Sequence, residues 1–421
     1  MCLTFYKNLM FYLFFLFRNI SESSCRNCMN ENKNKSTVYI NTSRYGIGND
    51  NLNNNKKNNS KINYIDINKY KNKLKYVLDE ISKIEEYNRI FIQSDTEGKK
   101  FNIISMLQIA GIIDIKKPIT VYYNIYTGNF NESSINEDDI KVEFFEVNKN
   151  FKGTYIHLGD IVDRCNGEDG CIYSLLYLLY VKKILGDQIK LICGNHELNY
   201  YWNLNECMCC KDKKEFILKI IFKAISEGEI KYFDSIQIGG IKYILTHKVV
   251  SNLDIEKIKS FIKDNVTDKI DLGKFDFYGL MEYVNNIFKN KFKEYIERNK
   301  DNFEKLGTYD LISFSKYYDQ ASNGFIVNSY RSTDLNSIKL YEGYFLSNQI
   351  CGHDHHNIDN CYIPTNNILY VDNYSSDENN NPMVNIHFFD KNQELNKHKG
   401  FVFIKEIDDS DIKVYFVNKF N

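Results

Sequence analysis

The feature that most constrains this chain is a series of strand-length apolar runs: Ile90–Ile92, Tyr155–Leu158, Ile189–Cys193, Ile241–Leu245, Gln349–Cys351 and Ile368–Val371. Each is rich in Ile, Val, Leu, Phe or Tyr, the side chains that suit a half-buried pleated surface. Between the second and third, Cys171–Ile184 is apolar at helical spacing, so that unit reads strand, helix, strand. Such an order predicts an α/β fold, and open α/β sheets take their ligands in the crevice beyond the strand carboxyl ends. Five of the six runs end there in side chains able to bind a metal.

The first run leads into Ser94-Asp95-Thr96-Glu97-Gly98, the second into Gly159-Asp160-Ile161-Val162-Asp163-Arg164 and the third into Gly194-Asn195-His196-Glu197. Thr246-His247 follows the fourth run, and Gly352-His353-Asp354-His355 the fifth. Taken singly these are weak signals. An Asp after a strand is ordinarily a turn former, and a lone His ordinarily a satisfied structural residue. The ordered set is different, because two cations about 3.5 to 4 Å apart need one bridging carboxylate and further O and N ligands from several strand ends. Glycine before Asp160, Asn195 and His353 lets the backbone turn sharply into the crevice. Asn195 would offer an amide oxygen and His247, His353 and His355 imidazoles, a mixed set that suits Mn, Fe or Zn better than Ca.

Composition narrows the class. At 421 residues, 43% apolar and 26% charged, the chain is globular in character rather than disordered or fibrous. Its net charge of -1 supplies no global field for a polyanion, so no nucleic-acid partner is expected. Eleven cysteines at irregular spacing do not make a disulfide scaffold and read as thiols. Cys25, Cys28 and the Cys207, Cys209, Cys210 cluster lack paired zinc spacing, while Cys193 and Cys351 end apolar runs as small buried hydrophobes.

Organisation along the chain follows from the same patterns. Within residues 1–20, the apolar run Leu9–Phe17 between Lys7 and Arg18 is far shorter than the ~20 residues a transmembrane helix needs, so no transmembrane span is expected. It resembles the core of a signal peptide, which makes secretory entry the alternative to a cytoplasmic location. Residues 21–63 are dominated by Asn, Lys and Ser and read as a disordered linker. From Ile65 to Ile84 apolar residues recur at helical spacing and open the folded domain, 64–421.

In order the five motifs resemble the calcineurin-like metallophosphoesterases, whose pattern is Asp-x-His, Gly-Asp-x-x-Asp, Gly-Asn-His-Asp/Glu, an isolated His, and Gly-His-x-His. Asp163-Arg164 and the Glu closing Gly194-Asn195-His196-Glu197 look most like the branch of serine/threonine phosphoprotein phosphatases and diadenosine-polyphosphate hydrolases. The resemblance covers roughly 90–372, and a chance match of the whole series is very rare. It implies a four-layer α/β/β/α sandwich with helical insertions and a metal-dependent phosphatase of phosphomonoesters, foremost phosphoserine and phosphothreonine, in protein or small-molecule substrates. The alternatives are a dinucleoside-polyphosphate or other small-phosphoester hydrolase, or a catalytically impaired binding module of the same fold.

By position, the resemblance implies two divalent ions, Mn foremost with Fe, Zn or Mg as options. Asp95 and His355 would bind the first, Asn195, His247 and His353 the second, and Asp160 would bridge them. A metal-bridging hydroxide would attack phosphorus in line. His196 would protonate the leaving oxygen with Asp163 orienting it, and Arg164 would clamp phosphoryl oxygens. Arg331, in Asn328-Ser329-Tyr330-Arg331, stands where relatives carry a second phosphate-binding Arg. Two positions depart from the pattern: Glu97 replaces a His and Cys165 a Gly. Glu97 can itself ligate a cation, and its charge favours a harder ion such as Mn or Mg.

Insertions near 101–151 and 253–303 lengthen the family's crossovers. The first is expected to add a helix, 101–112, and an edge hairpin, the second a small helical cap of the kind that selects substrate. Tyr200–Lys214 would line the entrance, and Val384–Phe389 and Lys413–Val417 would be closing strands. His157 and His387 receive a packing role.

Overall fold

A computed structural model describes residues 71–72, 74–134, 139–163, 169–197, 214–266, 271–298, 346–353, 362–363, 366–371, 383–394, 400–408 and 411–417. The amino-terminal apolar run, the Asn-rich linker, the first part of the lead-in helix, the segment 200–213 and the cysteines before position 171 or between 207 and 210 lie outside these.

Every apolar run singled out above is a strand. They are β1 (Arg89–Gln93), β5 (Thr154–His157), β6 (Ile189–Ile192), β9 (Ile241–Thr246), β10 (Gln349–Cys351) and β12 (Ile368–Tyr370). The remaining strands are β2 (Ile113–Tyr123), β3 (Phe130–Asn131), β4 (Ile140–Val147), β7 (Ile230–Lys231), β8 (Phe233–Ile238), β11 (Tyr362–Ile363), β13 (Met383–Asp390), β14 (Gly400–Asp408) and β15 (Asp411–Val417). One sheet runs β15-β14-β13-β1-β5-β6-β7 and a second β11-β12-β10-β9-β8. In the first, β1, β5, β6 and β7 are mutually parallel, and in the second β9, β10 and β12 are. Parallel strands align their carboxyl ends along one edge, which is why loops distant in sequence meet.

The two sheets share one hydrophobic cluster. Ile90, Ile92, Ile156, Leu158 and Ile192 of the first pack with Ile236, Ile238, Tyr243, Leu245, Ile350, Leu369 and Val371 at the second. The β1, β5 and β6 side chains are almost all buried, as expected of short parallel strands covered on both faces.

The α-helices are α1 (Lys75–Ser82), α2 (Lys100–Ile109), α3 (Gly170–Leu185), α4 (Lys214–Glu227), α5 (Asn252–Asn265) and α6 (Phe277–Arg298). Twelve of the sixteen residues of α3 are buried, so it is apolar all round and must be covered on every side. It packs against β6, β4 and α2, and ends at Gly186, whose φ of +57 only glycine adopts readily. The insertion after α2 does form paired strands, but β3-β2-β4 is a separate three-stranded sheet rather than a hairpin added to a main edge. The reason lies in its inner face: Phe144 stacks on Tyr177 of α3 at 4.3 Å, so the helix and not a strand is its partner. The second insertion is helical as expected, α5 and α6 packing on each other, with α5 opened by a Ser251–Asp254 capping box. β14 had no counterpart among the expected closing strands. No helix among the described residues is long and apolar enough to cross a membrane. Described cysteines Cys171, Cys193 and Cys351 are buried thiols that form no disulfide.

Candidate metal centre

The loops after β1 and β5 run side by side. Asp95, Glu97 and Gly98 donate backbone N–H to the carbonyls of Gly159, Asp160 and Ile161 at 3.0, 2.8 and 2.7 Å. Buried His157 fastens the same loops: its Nδ1 accepts from Gly159 N–H at 3.3 Å, which leaves Nε2 to donate to Thr96 Oγ1 at 3.0 Å. Burial pushes this imidazole down to about 3, so it serves as a neutral crosslink. Of seven non-glycine residues with positive φ among the described residues, five are Asp95, Glu97, Asp160, Asp163 and His353. Left-handed backbone is costly for such residues and persists where the surroundings over-determine it, as at functional sites.

The second sheet closes on these loops through two bonds. His247 Nδ1 donates to the Leu158 carbonyl at 2.7 Å, and His353 N–H donates to Asp95 Oδ2 at 3.1 Å. With Nδ1 committed, His247 turns Nε2 toward Asn195 Oδ1 at 2.9 Å, His353 Nδ1 at 3.1 Å and Asp160 Oδ2 at 3.3 Å. Asp160, His247 and His353 form the only group of three or more His, Cys, Asp or Glu ligand atoms gathered this closely among the described residues. Asp160 and His247 are 2% and 4% exposed.

Carboxylate, amide and imidazole lone pairs converge in this way only around positive charge, either a proton on His247 or a cation that all four ligate. Burial works against charge on His247, but Asp160, hydrogen-bonded to it, and Asp95 outweigh that and push it up to about 10. His353 is driven to about 3 by burial and by His247. Burial would raise Asp160, yet the imidazoles of His196, His247 and His353 hold its carboxyl far below the usual range. The donor set fits a divalent transition metal, and the Nδ1–H to carbonyl bond of His247 is what would fix the tautomer that presents Nε2 to it.

Beside this pocket, His196 lies between two carboxylates, with Nδ1 2.6 Å from Asp163 Oδ2 and Nε2 3.6 Å from Asp160 Oδ2. Its backbone N–H donates to Asp160 Oδ1 at 2.9 Å. Asp163 is held in turn by Cys171 of α3, whose Sγ accepts the Asp163 N–H at 3.2 Å.

Of the residues expected to act here, Asp160, Asn195, His247 and His353 are thus together, with Asp95 at their border and the His196–Asp163 pair adjoining. Glu97 is 8% exposed, and its carboxylate lies 3.6 Å from Lys99 Nζ rather than in the ligand group. Arg164, Arg331 and His355 lie outside the described residues. Three contributors were not legible in sequence: His157, Cys171 and Glu197. The Glu closing Gly194–Glu197 was visible as part of a motif, but nothing in the string gave it a task. His157 and Cys171 carried no signal beyond a polar atom in an apolar stretch.

No known protein family and no curated protein matches this chain. Among solved structures, the cold-active protein tyrosine phosphatase of the psychrophile Shewanella sp. is similar at 14% identity and a TM-score of 0.36, covering 78% of this chain and 80% of that one. A mutant of a cold-active protein tyrosine phosphatase and another structure of such an enzyme align at TM-scores of 0.36 and 0.38 with 13% and 14% identity. Both cover 78% of this chain, and 80% and 78% of their own.

Proposed function

We propose that this chain is a metal-dependent hydrolase of phosphomonoesters, foremost phosphoserine and phosphothreonine, built on the four-layer sandwich of the calcineurin-like metallophosphoesterases. The single observation that carries the reading is the convergence of Asp160 Oδ2, Asn195 Oδ1 and His353 Nδ1 on His247 Nε2, with His196 held by Asp163 at its side. In support of the sandwich, the seven- and five-stranded sheets share one hydrophobic cluster, and α3 and α6 contact β6 and β8.

Asp160, Asn195, His247 and His353 would hold one cation, with Asp95 facing the neighbouring position. Divalent metal bound there would supply Lewis acidity at phosphoryl oxygens and acidify a water. His196 would hold its proton at Nε2 and pass it to the departing alcohol oxygen. Asp163 would accept the Nδ1–H, orient the ring and stabilise its charged form, from which the Nε2 proton is given up. Arg164 and Arg331 would bind phosphoryl oxygens, and Glu97 and His355 would complete the first metal position.

The test compares the full chain with Asp160→Asn in Mn2+, offering an aryl phosphate, phosphoserine and phosphothreonine peptides and a dinucleoside polyphosphate. Metal-dependent release of phosphate by the parent alone is expected, fastest from the phosphopeptides. Equal rates for parent and variant would remove the enzyme reading, and turnover of the dinucleoside polyphosphate alone would move the substrate class.

A further inference from the structure

We propose that Glu197 is a positioning residue that shapes the metal pocket without touching the metal, an inference that rests on the reading of that pocket just given. Glu197 is fully buried, yet its carboxylate faces neither solvent nor a basic side chain among its hydrogen-bond partners. It accepts four backbone N–H groups. Oε1 takes those of Ile161 at 2.7 Å and Val162 at 3.2 Å, and Oε2 those of Gly194 at 2.6 Å and Asp160 at 3.0 Å. One side chain thus crosslinks the loop after β5 to the loop after β6, the loops that supply Asp160, Asn195 and His196.

The placement of these bonds gives them a task. Asp160 has a φ of +53, a conformation its own Cβ disfavours. Glu197 grips the N–H of Asp160 and those of the two residues that follow, which fixes this backbone on both sides and with it the direction of the carboxylate. At the other end it grips Gly194, immediately before Asn195. A carboxylate is the right group for this, because ionised it is acceptor-only and each oxygen can take two donors. Burial and the nearby Asp160 push its pKa up, against the pull of the backbone donors.

Glutamine has the same shape and cannot do this. Whichever way its amide is turned, the NH2 group faces two backbone N–H donors, so Ile161 and Val162 or Asp160 and Gly194 must shift. Loss of outer-shell partners ordinarily weakens metal binding by about 10 to 100-fold.

The experiment titrates Mn2+ into the full-length parent, Glu197→Gln, Glu197→Asp and Phe144→Leu, following heat of binding and melting temperature with and without Mn2+. Phe144→Leu loosens the separate three-stranded sheet and stands for plain destabilisation. Expected is Mn2+ binding weakened about 10 to 100-fold in Glu197→Gln, with Glu197→Asp intermediate because the charge is kept, and Phe144→Leu binding like the parent at a lowered melting temperature. A Glu197→Gln chain that binds Mn2+ as the parent does would overturn the positioning role and leave the metal pocket intact. Failure of both Glu197 variants to fold would overturn it also, in favour of a plain folding role. A parent that binds no Mn2+ would remove the pocket reading itself, a separate outcome.

Discussion

Asp163 Oδ2 lies 2.6 Å from His196 Nδ1, and the imidazole is thereby strung between two carboxylates, with Asp160 Oδ2 3.6 Å from the opposite nitrogen. With Asp163 accepting at Nδ1, the transferable proton of the charged ring is the one on Nε2, the nitrogen that faces Asp160. Asp163→Asn retains the shape and removes the charge, so kcat on the best phosphopeptide is expected to fall by about 10² to 10⁴. Mn2+ affinity should stay within a few-fold of the parent, since Asp163 is not among the gathered ligand atoms. A kcat unchanged by the substitution would detach His196 from the proton transfer.

Gly159, after β5 of the first sheet, lies against Gly194 and His247, the latter after β9 of the second. Its φ is +98, and a Cβ there would stand 2.6 Å from Gly194 N and 2.8 Å from His247 Nδ1. Backbone strain and a clash with an unyielding main chain act together, so Gly159→Ala should cost roughly 2 to 4 kcal/mol of stability. Urea unfolding measures this. Because the clash meets His247 as well, Mn2+ binding should weaken in the same variant, and a neutral result on both counts would contradict the packing described.

How much of this was readable beforehand depends on the range of the cause. Strand identity was legible because Ile189–Ile192 or Gln349–Cys351 are short apolar runs whatever their surroundings. Asp160, Asn195, His247 and His353 were legible because cation ligands come in few residue types and sit after strands. Glu197 was not, because its partners are backbone N–H groups of another loop and backbone carries no residue identity. His157 looked like a packing residue and is one, but its crosslink of Thr96 to Gly159 depends on a pairing of β1 with β5 across some 60 intervening positions. The three-stranded sheet was mistaken for an edge hairpin because pattern gives a strand's inner face without saying what covers it.

That sheet offers a stability test away from the chemistry. Phe144 is 1% exposed and stacks on Tyr177, with Tyr180 edge-on at 5.8 Å. Truncation leaves a cavity that α3, covered on its other faces, cannot close. Phe144→Ala is expected to lose about 3 to 5 kcal/mol in urea unfolding, while kcat at low temperature changes little. A loss below 1 kcal/mol would mean that the sheet is not anchored on α3 as described.

His387 provides the pH dependence. It sits fully buried in β13, opposite Ile92 of β1, and burial, only partly offset by a backbone hydrogen bond at Val371, drives its pKa from 6.5 down to about 3. The folded chain therefore keeps it neutral in mild acid, while the unfolded chain protonates it below about pH 6.5. Between those values the unfolded state binds the extra proton, so stability is lost as pH falls, by a factor of about ten in the folding constant for each pH unit. His387→Leu removes the titrating group and keeps an apolar side chain in the strand. Urea midpoints at pH 7, 6, 5 and 4 should fall more steeply in the parent than in His387→Leu, the slopes differing by about one proton below pH 6. Parallel slopes would place the acid sensitivity of this fold elsewhere.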